Sequence, residues 1–328
     1  MRKILSLALL STALLACNLS GSKMSKQTET SESAEASLMS SAPFDVDSAY
    51  AYIQQQVDFG VRTPGSAGHQ ACGDWLVAKL RGWGYNVTEQ AFPGKDYYGK
   101  AVEGRNIIAS LNPAAPKRML LMAHWDTRVV ADADSDPSRQ TQPIEGADDG
   151  GSGVGVLLEL ARQWSLSAPA VGIDLVLFDL EDGGTSGDND SWCLGSQYWA
   201  ANPHVPNYRA EGGILLDMVG ARGARFHWES YSRSHAAPLL MELWDLAKSL
   251  GHIQYFPHSE GGGITDDHIP VIDKLGIPCV DIVNFSYDNG RQGFGEHWHT
   301  HQDNMAIIDK STLQAVGQTV ATYISKQQ

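Results

Sequence analysis

Apolar residues along the chain are concentrated in short, almost uninterrupted runs. Strands that are buried on both faces of a mostly parallel sheet have this pattern, whereas half-exposed strands alternate apolar and polar positions. The following runs predict strands of the buried kind: KRMLLMAHWD (117–126), VGIDLVLFDLED (171–182), GGILLDM (212–218) and GIPCVDIV (276–283). The chain is therefore predicted to contain a central sheet that is covered on both sides.

Segments with helical spacing lie between these runs. SGVGVLLELARQW (152–164) separates the first two strands, and PLLMELWDLAKSLG (238–251) follows the third and ends at a glycine, which commonly terminates helices. Alternating strands and helices predict an α/β fold with an open, mostly parallel mixed central sheet flanked by helices. The sequence has no internal repeat, and residues 43–328 are predicted to form a single domain.

Charged side chains end the predicted strands or the loops beside them: His124, Asp126, Asp149, Glu181, Asp182, Asp217 and Asp267. In an open α/β sheet the binding crevice lies beyond the carboxyl ends of the strands, so these residues are expected to crowd one rim. Each of them alone is explained more simply as a helix cap or a loop hydrogen-bonder. Together, several carboxylates cannot all stay ionised without a cation. Histidine with carboxylates is a zinc-binding set, so a zinc site is predicted.

The glycine-rich loop GADDGGSGVG (146–155) precedes the first predicted helix. Its glycines permit a tight turn, which lets Asp148 or Asp149 point into the crevice. The alternative is that one of these aspartates caps the helix. A dinucleotide-binding loop is disfavoured, because two acidic residues would repel the pyrophosphate.

Three of the eleven histidines lie within five residues, in EHWHTHQDN (296–304). His297, His299 and His301 are either metal ligands or members of a solvated loop. The segment alone does not distinguish these two interpretations, which depend on whether the carboxylates converge on the same point.

The N-terminus has the pattern of a bacterial lipoprotein signal. MRKILSLALLSTALLAC has two cations followed by an apolar run, and it ends in a lipobox-like LLAC. We therefore expect residues 1–16 to be a signal peptide, Cys17 to be lipidated, and residues 17–42 to be a polar linker that is too poor in apolar residues to fold. This predicts a periplasmic lipoprotein of the cell envelope. Asn18 in place of Asp suggests the outer membrane.

The charge and the cysteine content exclude some classes of protein. A net charge of −14 disfavours a nucleic-acid partner. Apart from Cys17, the chain has Cys72, Cys193 and Cys279. Three cysteines are too few for a disulfide scaffold; one bridge is possible, and the sequence does not indicate the pair.

Five motifs, in this order, resemble those of the zinc-aminopeptidase clan: HWD (124–126), GADDGGSG (146–153), FDLED (178–182), LLDMVG (215–220) and WHTHQDN (298–304). The resemblance covers the chain from about residue 45 to the end, including RTPGS (62–66). FGEHWHT (294–300) and TDDHIP (265–270) are more similar to the bacterial glutaminyl-peptide cyclotransferase (glutaminyl cyclase) branch than to aminopeptidases.

This resemblance implies an enzyme that cyclises N-terminal glutamine of peptides and proteins to pyroglutamate and releases ammonia. It implies one zinc ion per chain, with Asp149, Asp182 and His299 as its ligands. It further implies that Glu181 is the general acid/base, oriented by Asp217 and Asp267, and that at least one proton is held among these three carboxyl groups. The pocket walls would be Trp192, Phe294 and Trp298, while His297 and His301 have no role in metal binding.

One departure from the family pattern concerns the metal site. The family often has Glu where this chain has Asp182, and the shorter side chain is expected to reach the metal as a monodentate ligand. The main alternative is a two-zinc aminopeptidase, in which His124, Asp149 and Asp217 hold the additional metal. A non-enzymatic binding module is the third hypothesis. A monomer is the default expectation, with the Cys17 lipid as the only membrane contact.

Overall fold

The computed structural model describes residues 42–327. The predicted signal peptide, Cys17 and nearly all of the predicted linker lie outside these residues. The strands are β1 (Asn86–Lys95), β2 (Ala101–Leu111), β3 (Arg118–His124), β4 (Gly172–Phe178), β5 (Gly212–Asp217), β6 (Trp228–Glu229), β7 (Glu260–Gly262) and β8 (Cys279–Val283). The α-helices are α1 (Val46–Asp58), α2 (Ala67–Gly82), α3 (Gly151–Leu166), α4 (Leu194–Ala201), α5 (Ser230–Ser249), α6 (His268–Leu275) and α7 (Lys310–Ser325).

Six strands form the central sheet in the order β1-β2-β4-β3-β5-β8. Strands β4, β3, β5 and β8 are parallel to one another, while β1 and β2 form an antiparallel hairpin at one edge. Strand β2 joins the parallel part by pairing antiparallel with β4. The predicted open, mostly parallel mixed sheet is confirmed, and all four predicted strands belong to it. The hairpin was not predicted.

The sheet is covered on both faces, as the apolar runs require. All seven residues of β4 are buried. On one face α3 packs against β3 and β5. This packing is close, because a Cβ on Gly153 of α3 would lie 2.1 Å from the carbonyl oxygen of Leu216. On the other face Trp199 of α4 and Val271 of α6 join a core cluster with Met122 of β3.

Helix α5 begins earlier than the sequence pattern indicated. The predicted segment 238–251 is only its second part, and the helix starts at Ser230. Ala236 has non-helical backbone angles two residues before Pro238, as expected because proline disturbs the preceding turn of a helix. Within residues 42–327, no helix has both the length and the apolar character needed to cross a membrane.

Candidate active site

The carboxyl ends of β3, β4 and β5 deliver polar side chains to one cavity. His124 and Asp217 are the last residues of β3 and β5, and Glu181 and Asp182 lie in the loop that follows β4. The cavity has a volume of about 340 Å³. Its wall includes Arg128, Asp132, Asp149, Glu181, Asp182, Trp192, Asp217, Asp266, Phe294, Trp298 and His299. The structure therefore brings together residues from six separate parts of the chain.

Asp149, Asp182 and His299 form one potential metal-binding group. Nε2 of His299 lies 3.2 Å from Oδ1 of Asp182 and 3.7 Å from Oδ2 of Asp149. One ligand atom from each residue lies within 4.8 Å of the other two, and all three residues are buried. The shorter side chain of Asp182, compared with Glu, still reaches this group.

His124, Asp149 and Asp217 form a second potential metal-binding group. Nε2 of His124 is 3.0 Å from Oδ1 of Asp149 and 3.2 Å from Oδ1 of Asp217. The two groups share Asp149. The residues that the two-zinc alternative requires are therefore also brought together.

The first group fits a zinc ion by its chemistry. Oδ2 of Asp182 is buried and has no hydrogen-bond partner among the described residues. Burial of an unpaired carboxylate oxygen is costly, and a cation bound there would remove this cost. One imidazole and two carboxylates are ligands typical of zinc, and three protein ligands leave a position for a substrate atom.

Asp126 fixes the backbone that carries Glu181 and Asp182. Its Oδ1 and Oδ2 accept hydrogen bonds from the backbone N–H groups of Glu181 and Asp182, at 3.1 and 3.2 Å. The preceding residue, Leu180, has a positive φ of 56°. His299 likewise has a φ of 53°. Such conformations cost free energy in residues other than glycine and are often found at functional sites.

The glycine-rich loop directs its two aspartates differently. Asp149 lines the cavity, whereas Asp148 is fully buried and accepts a hydrogen bond from the backbone N–H of Gly220. Asp303 accepts hydrogen bonds from the backbone N–H groups of both aspartates, at 2.7 and 3.1 Å. The buried Arg62 donates to the carbonyl oxygen of Gly146. Asp303 and Arg62 thus hold the loop that presents Asp149.

Glu181 is buried beside the first metal-binding group. Its Oε1 accepts a hydrogen bond from the Cys193 thiol at 3.3 Å, and its Oε2 is 4.0 Å from Nδ1 of His124. Burial raises the pKa of Glu181 well above its usual value; His124 opposes this rise, and the charge of Asp182 adds to it. A carboxyl group with a raised pKa is suited to exchange protons near neutral pH.

Two further carboxyl groups face the same end of the cavity. Burial raises the pKa of Asp217 to about 8, against the effect of its hydrogen bond with His124. Burial also raises the pKa of Asp266. Ligand atoms of Asp266, Glu181 and Cys193 lie within 4.8 Å of one another. The raised pKa values of Glu181, Asp217 and Asp266 favour the prediction that the carboxyl groups around Glu181 hold at least one proton among them.

Asp267, which the sequence assigned to this carboxyl network, lies close enough for its charge to raise the pKa of Glu181, and its role in the network stays a prediction. Asp266, its neighbour, lines the cavity and lies in the group with Glu181. Asp267 is fully buried outside the cavity lining, near the Ser196 hydroxyl. Asp266 is therefore the aspartate of TDDHIP that lines the cavity, while Asp267 acts on Glu181 from behind the cavity wall through its charge.

The three predicted aromatic residues, Trp192, Phe294 and Trp298, all line the cavity. The ring of Trp298 stacks on that of His299 with centroids 3.6 Å apart, and Phe294 stacks on Trp298 at 4.9 Å. Trp192 is stacked at 6.1 Å from His299, on the insert that follows Asp182. The aromatic residues therefore surround the histidine of the first metal-binding group.

The histidines on either side of His299 have other partners. Nε2 of His297 is 3.0 Å from Oδ2 of Asp148, and Nδ1 of His301 is 2.8 Å from Oδ2 of Asp134. Neither histidine belongs to a potential metal-binding group of the described residues. This placement agrees with the expectation that they are loop histidines.

The three cysteines of the described region, Cys72, Cys193 and Cys279, are buried and free, so the structure contains no disulfide among them.

Several residues at the site were not singled out from the sequence: Arg128, Asp132, Cys193, Asp266 and Asp303. Arg128, Asp132 and Cys193 lie in loops, where no periodicity indicates which way a side chain points. Asp303 and Asp266 were within quoted motifs, WHTHQDN and TDDHIP. The only hint in the sequence was that these aspartates lie within motifs that also contain predicted site residues. A carboxylate that is buried in such a motif needs a partner, because carboxylates are rarely buried alone.

The comparison with protein families gives the class of this protein. The model of peptidase family M28 matches residues 106–324. The chain therefore belongs to peptidase family M28.

Comparison with individual proteins shows which members of the family this chain is similar to. A glutaminyl cyclase of Porphyromonas gingivalis with a known crystal structure is 57% identical, with a TM-score of 0.85, and the match covers 87% of this chain and 99% of that chain. A Zn-dependent exopeptidase from Parabacteroides distasonis is 50% identical, with the same TM-score and the same coverage. A glutaminyl-peptide cyclotransferase of Gloydius blomhoffii is 27% identical over an alignment of 297 positions, and the match covers 80% of this chain and 76% of that protein. The predicted resemblance to glutaminyl cyclases is confirmed.

Proposed function

We propose that this protein is a zinc-dependent glutaminyl-peptide cyclotransferase, an acyltransferase that converts N-terminal glutamine of peptides and proteins to pyroglutamate with release of ammonia. The observation that carries the proposal is the position of Glu181. This buried carboxyl group lies beside Asp182 of the metal-binding group and at the same end of the cavity as Asp217 and Asp266. Similarity to glutaminyl cyclases over most of the chain supports it.

Asp149, Asp182 and His299 would hold the metal ion. When bound there, zinc would act as a Lewis acid that polarises the γ-carbonyl group of the glutamine side chain. The chain's own residues then have to place the α-amine of the substrate near the carbonyl carbon of the side-chain amide. Because both groups belong to one glutamine residue, the reaction is intramolecular and proximity is largely supplied by the substrate.

Glu181 would exchange the protons of the reaction. Its carboxylate takes a proton from the α-amine as this amine attacks the carbonyl carbon of the side-chain amide, and it then gives the proton to the departing ammonia. The five-membered ring closes when the amine nitrogen bonds to this carbonyl carbon, and the bond between the same carbon and the amide nitrogen then breaks to release ammonia. Both steps require a group whose proton is neither tightly held nor absent near neutral pH. The pKa of Glu181 is shifted upward, which is the direction that this requirement calls for.

Asp217 and Asp266 would orient Glu181, and a proton would be shared among the three carboxyl groups. Like-charge repulsion among these carboxyl groups raises their pKa values, and we propose that at least one proton is held among the three. Asp267, which the sequence motif assigned to this network, stays a proposed member of it beside Asp266, because the charges of both raise the pKa of Glu181.

Trp192, Phe294 and Trp298 would enclose the substrate side chain. The rings provide apolar surface for the methylene groups of glutamine and limit the access of water. Exclusion of water favours attack by the amine over hydrolysis of the γ-amide.

We propose one zinc ion per chain, following the resemblance to the cyclases. The second candidate function is a two-zinc aminopeptidase, which is favoured by the group formed by His124, Asp149 and Asp217. Metal analysis of the purified protein distinguishes these alternatives. A content of two zinc ions, with His124 and Asp217 as additional ligands, would contradict the single-zinc proposal.

The test of function uses the chain without residues 1–42, loaded with zinc, because every residue assigned to the site lies within residues 43–327. Ammonia release from a Gln-initiated dipeptide is measured beside amine release from leucine p-nitroanilide. The proposal predicts ammonia and a product about 17 Da lighter than the substrate, which is the mass of the ammonia lost on ring closure. Leucine release without ammonia would replace it with the aminopeptidase.

We further propose that the chain is anchored in the cell envelope through a lipid on Cys17, with the catalytic domain in the periplasm and the outer membrane as the preferred site. This proposal is supported by the signal and lipobox pattern of residues 1–17. A Cys17→Ser variant is expected to lose the lipid and to leave the membrane fraction. We also propose a monomer, to be checked by light scattering of the domain.

A further inference from the structure

Arg128 and Asp132 lie in the loop after β3 and form a tight ion pair at the cavity wall. Nε and Nη2 of Arg128 donate to the two carboxylate oxygens of Asp132, at 2.9 and 2.6 Å. The side chain of Arg128 is 1% exposed and that of Asp132 is 36% exposed. A bidentate pair of this kind fixes the orientation of the carboxylate as well as its position.

Asp132 faces the side of His299 that is turned away from the metal-binding group. Nε2 of His299 points to Asp182 and Asp149, whereas its Nδ1 lies 3.2 Å from Oδ1 of Asp132. The backbone N–H of Ala133 donates to the carbonyl oxygen of His299 at 3.2 Å. The loop after β3 is therefore attached to His299 through both backbone and side chain.

The same guanidinium contacts the other end of the metal-binding group. Nη1 of Arg128 donates to the carbonyl oxygen of Asp182 at 3.0 Å and lies 3.4 Å from Oδ1 of Asp182. It also donates to the carbonyl oxygen of Gly184 at 3.1 Å. The rings of Tyr97 and Trp192 lie 5.2 and 4.8 Å from the guanidinium carbon. One buried cation thus joins two of the three proposed ligands.

We propose that Asp132, held by Arg128, is the positioning residue for His299 as a zinc ligand, and that Arg128 couples this histidine to Asp182. The inference rests on the proposed function in so far as His299 binds zinc through Nε2. A carboxylate at the second nitrogen of a metal-bound histidine selects the tautomer, fixes the ring and increases the basicity of the ligand atom. Arg128 neutralises the carboxylate without contacting His299 itself, so the orientation of Asp132 is set before metal binding.

The chain contains a matched control for this arrangement. Asp134, two residues after Asp132, contacts His301, two residues after His299, with Oδ2 and Nδ1 2.8 Å apart. The second pair lies on the same two loops, but His301 belongs to neither potential metal-binding group. Removal of the charge of Asp134 therefore perturbs the same loops without affecting a ligand.

The experiment compares Asp132→Asn with Asp134→Asn in the domain that comprises residues 43–328. Zinc affinity is measured by competition with a chromophoric chelator, and the melting temperature is measured for the zinc-free proteins. We expect Asp132→Asn to weaken zinc binding by about 10–100-fold, the usual effect of removing such a partner. We expect Asp134→Asn to bind zinc as the wild type does. The zinc-free Asp132→Asn protein is expected to melt below the wild type, because the buried Arg128 loses its charged partner, so zinc affinity is compared at a temperature at which both proteins are folded.

Arg128→Lys provides a second variant, because lysine keeps the charge but loses the bidentate geometry. Arg128→Lys is also expected to weaken zinc binding. For Asp132→Asn, saturating zinc should restore ammonia release. Unchanged zinc affinity in Asp132→Asn, or an equal loss in Asp134→Asn, would overturn the inference. Failure of the proposed function gives a different result. The zinc-loaded wild type would then release no ammonia from a Gln-initiated dipeptide, whether or not the variants differ from it in zinc affinity.

Discussion

The thiol of Cys193 donates a hydrogen bond to Oε1 of Glu181 at a distance of 3.3 Å. The backbone reinforces this contact, because the N–H of Cys193 donates to the carbonyl oxygen of Glu181 at 3.0 Å. These two residues close the base of the insert that carries Trp192. The neutral thiol holds the carboxyl group in place without adding a charge that would fix its protonation state.

Cys193→Ala is expected to lower kcat and to leave the zinc content and KM unchanged. The loss of one hydrogen bond corresponds to about 0.5–1.5 kcal/mol, or a decrease in kcat of about 2–12-fold. Cys193→Ser keeps a donor and should recover most of the activity. Cys72→Ala, which removes another buried thiol, serves as the control. An equal loss of kcat in this control would show that the effect is a general one on packing.

Glu181→Gln is expected to retain zinc and to lose turnover by about 10²–10⁴-fold, the usual contribution of a general acid/base. The amide keeps the size of the side chain but cannot accept and return the proton. Zinc is measured by metal analysis and turnover by ammonia release. Glu145→Gln makes the same substitution at an exposed position and serves as the control, with zinc content and turnover expected to equal those of the wild type. Near-wild-type rates in Glu181→Gln would assign the proton transfer to another group.

Asp266→Asn is expected to shift the acid limb of the pH dependence of kcat/KM to lower pH. The negative charge of Asp266 raises the pKa of Glu181, so its removal lowers that pKa and lets the carboxylate form at lower pH. Ionisation of the substrate amine is the same for both enzymes and cancels in the comparison. A limb that stays in place or moves to higher pH would argue against contact between the two carboxyl groups.

Glu229→Gln is expected to make the free energy of unfolding less dependent on pH in the acidic range. Glu229 is buried, and its carboxylate accepts hydrogen bonds from the backbone N–H groups of Tyr231 and Ser232 and lies 3.1 Å from Nε2 of His268. Burial acts to raise the pKa of Glu229, but these partners outweigh burial and lower it. The stabilisation is therefore complete above the unfolded-state pKa, about 4.3, and is lost as the pH falls through the lower folded-state pKa.

Urea unfolding at pH 7 and at pH 4 measures this effect. The variant should be less stable than the wild type by about 1.5–3 kcal/mol at pH 7, because the hydrogen bonds to a charged group are weakened. The difference should be smaller at pH 4. A difference that is the same at both pH values would contradict a role for the ionised carboxylate.

The parallel strands were predictable because burial on both faces leaves a direct mark on the sequence. Strand β4 is buried at every position, and its apolar run is visible without further information. Strand β1 is mostly exposed or half-buried, so it carries neither a continuous run nor a clear alternation. The hairpin at the edge of the sheet was missed for this reason.

The sequence by itself determined the α/β class, the convergence of Asp149, Glu181, Asp182 and Asp217 at strand ends, and the order of motifs shared with the glutaminyl cyclases. Periodicity and chain order carry this information, because the carboxyl ends of neighbouring parallel strands meet at one edge of a sheet.

Only the tertiary structure decided that Asp266 rather than Asp267 faces the cavity, and that Asp132 and Cys193 contact His299 and Glu181. The direction of a side chain in a loop or at a helix start depends on backbone angles that are set by packing against distant segments. Adjacent residues of the same type are therefore equivalent in the sequence and different in the fold.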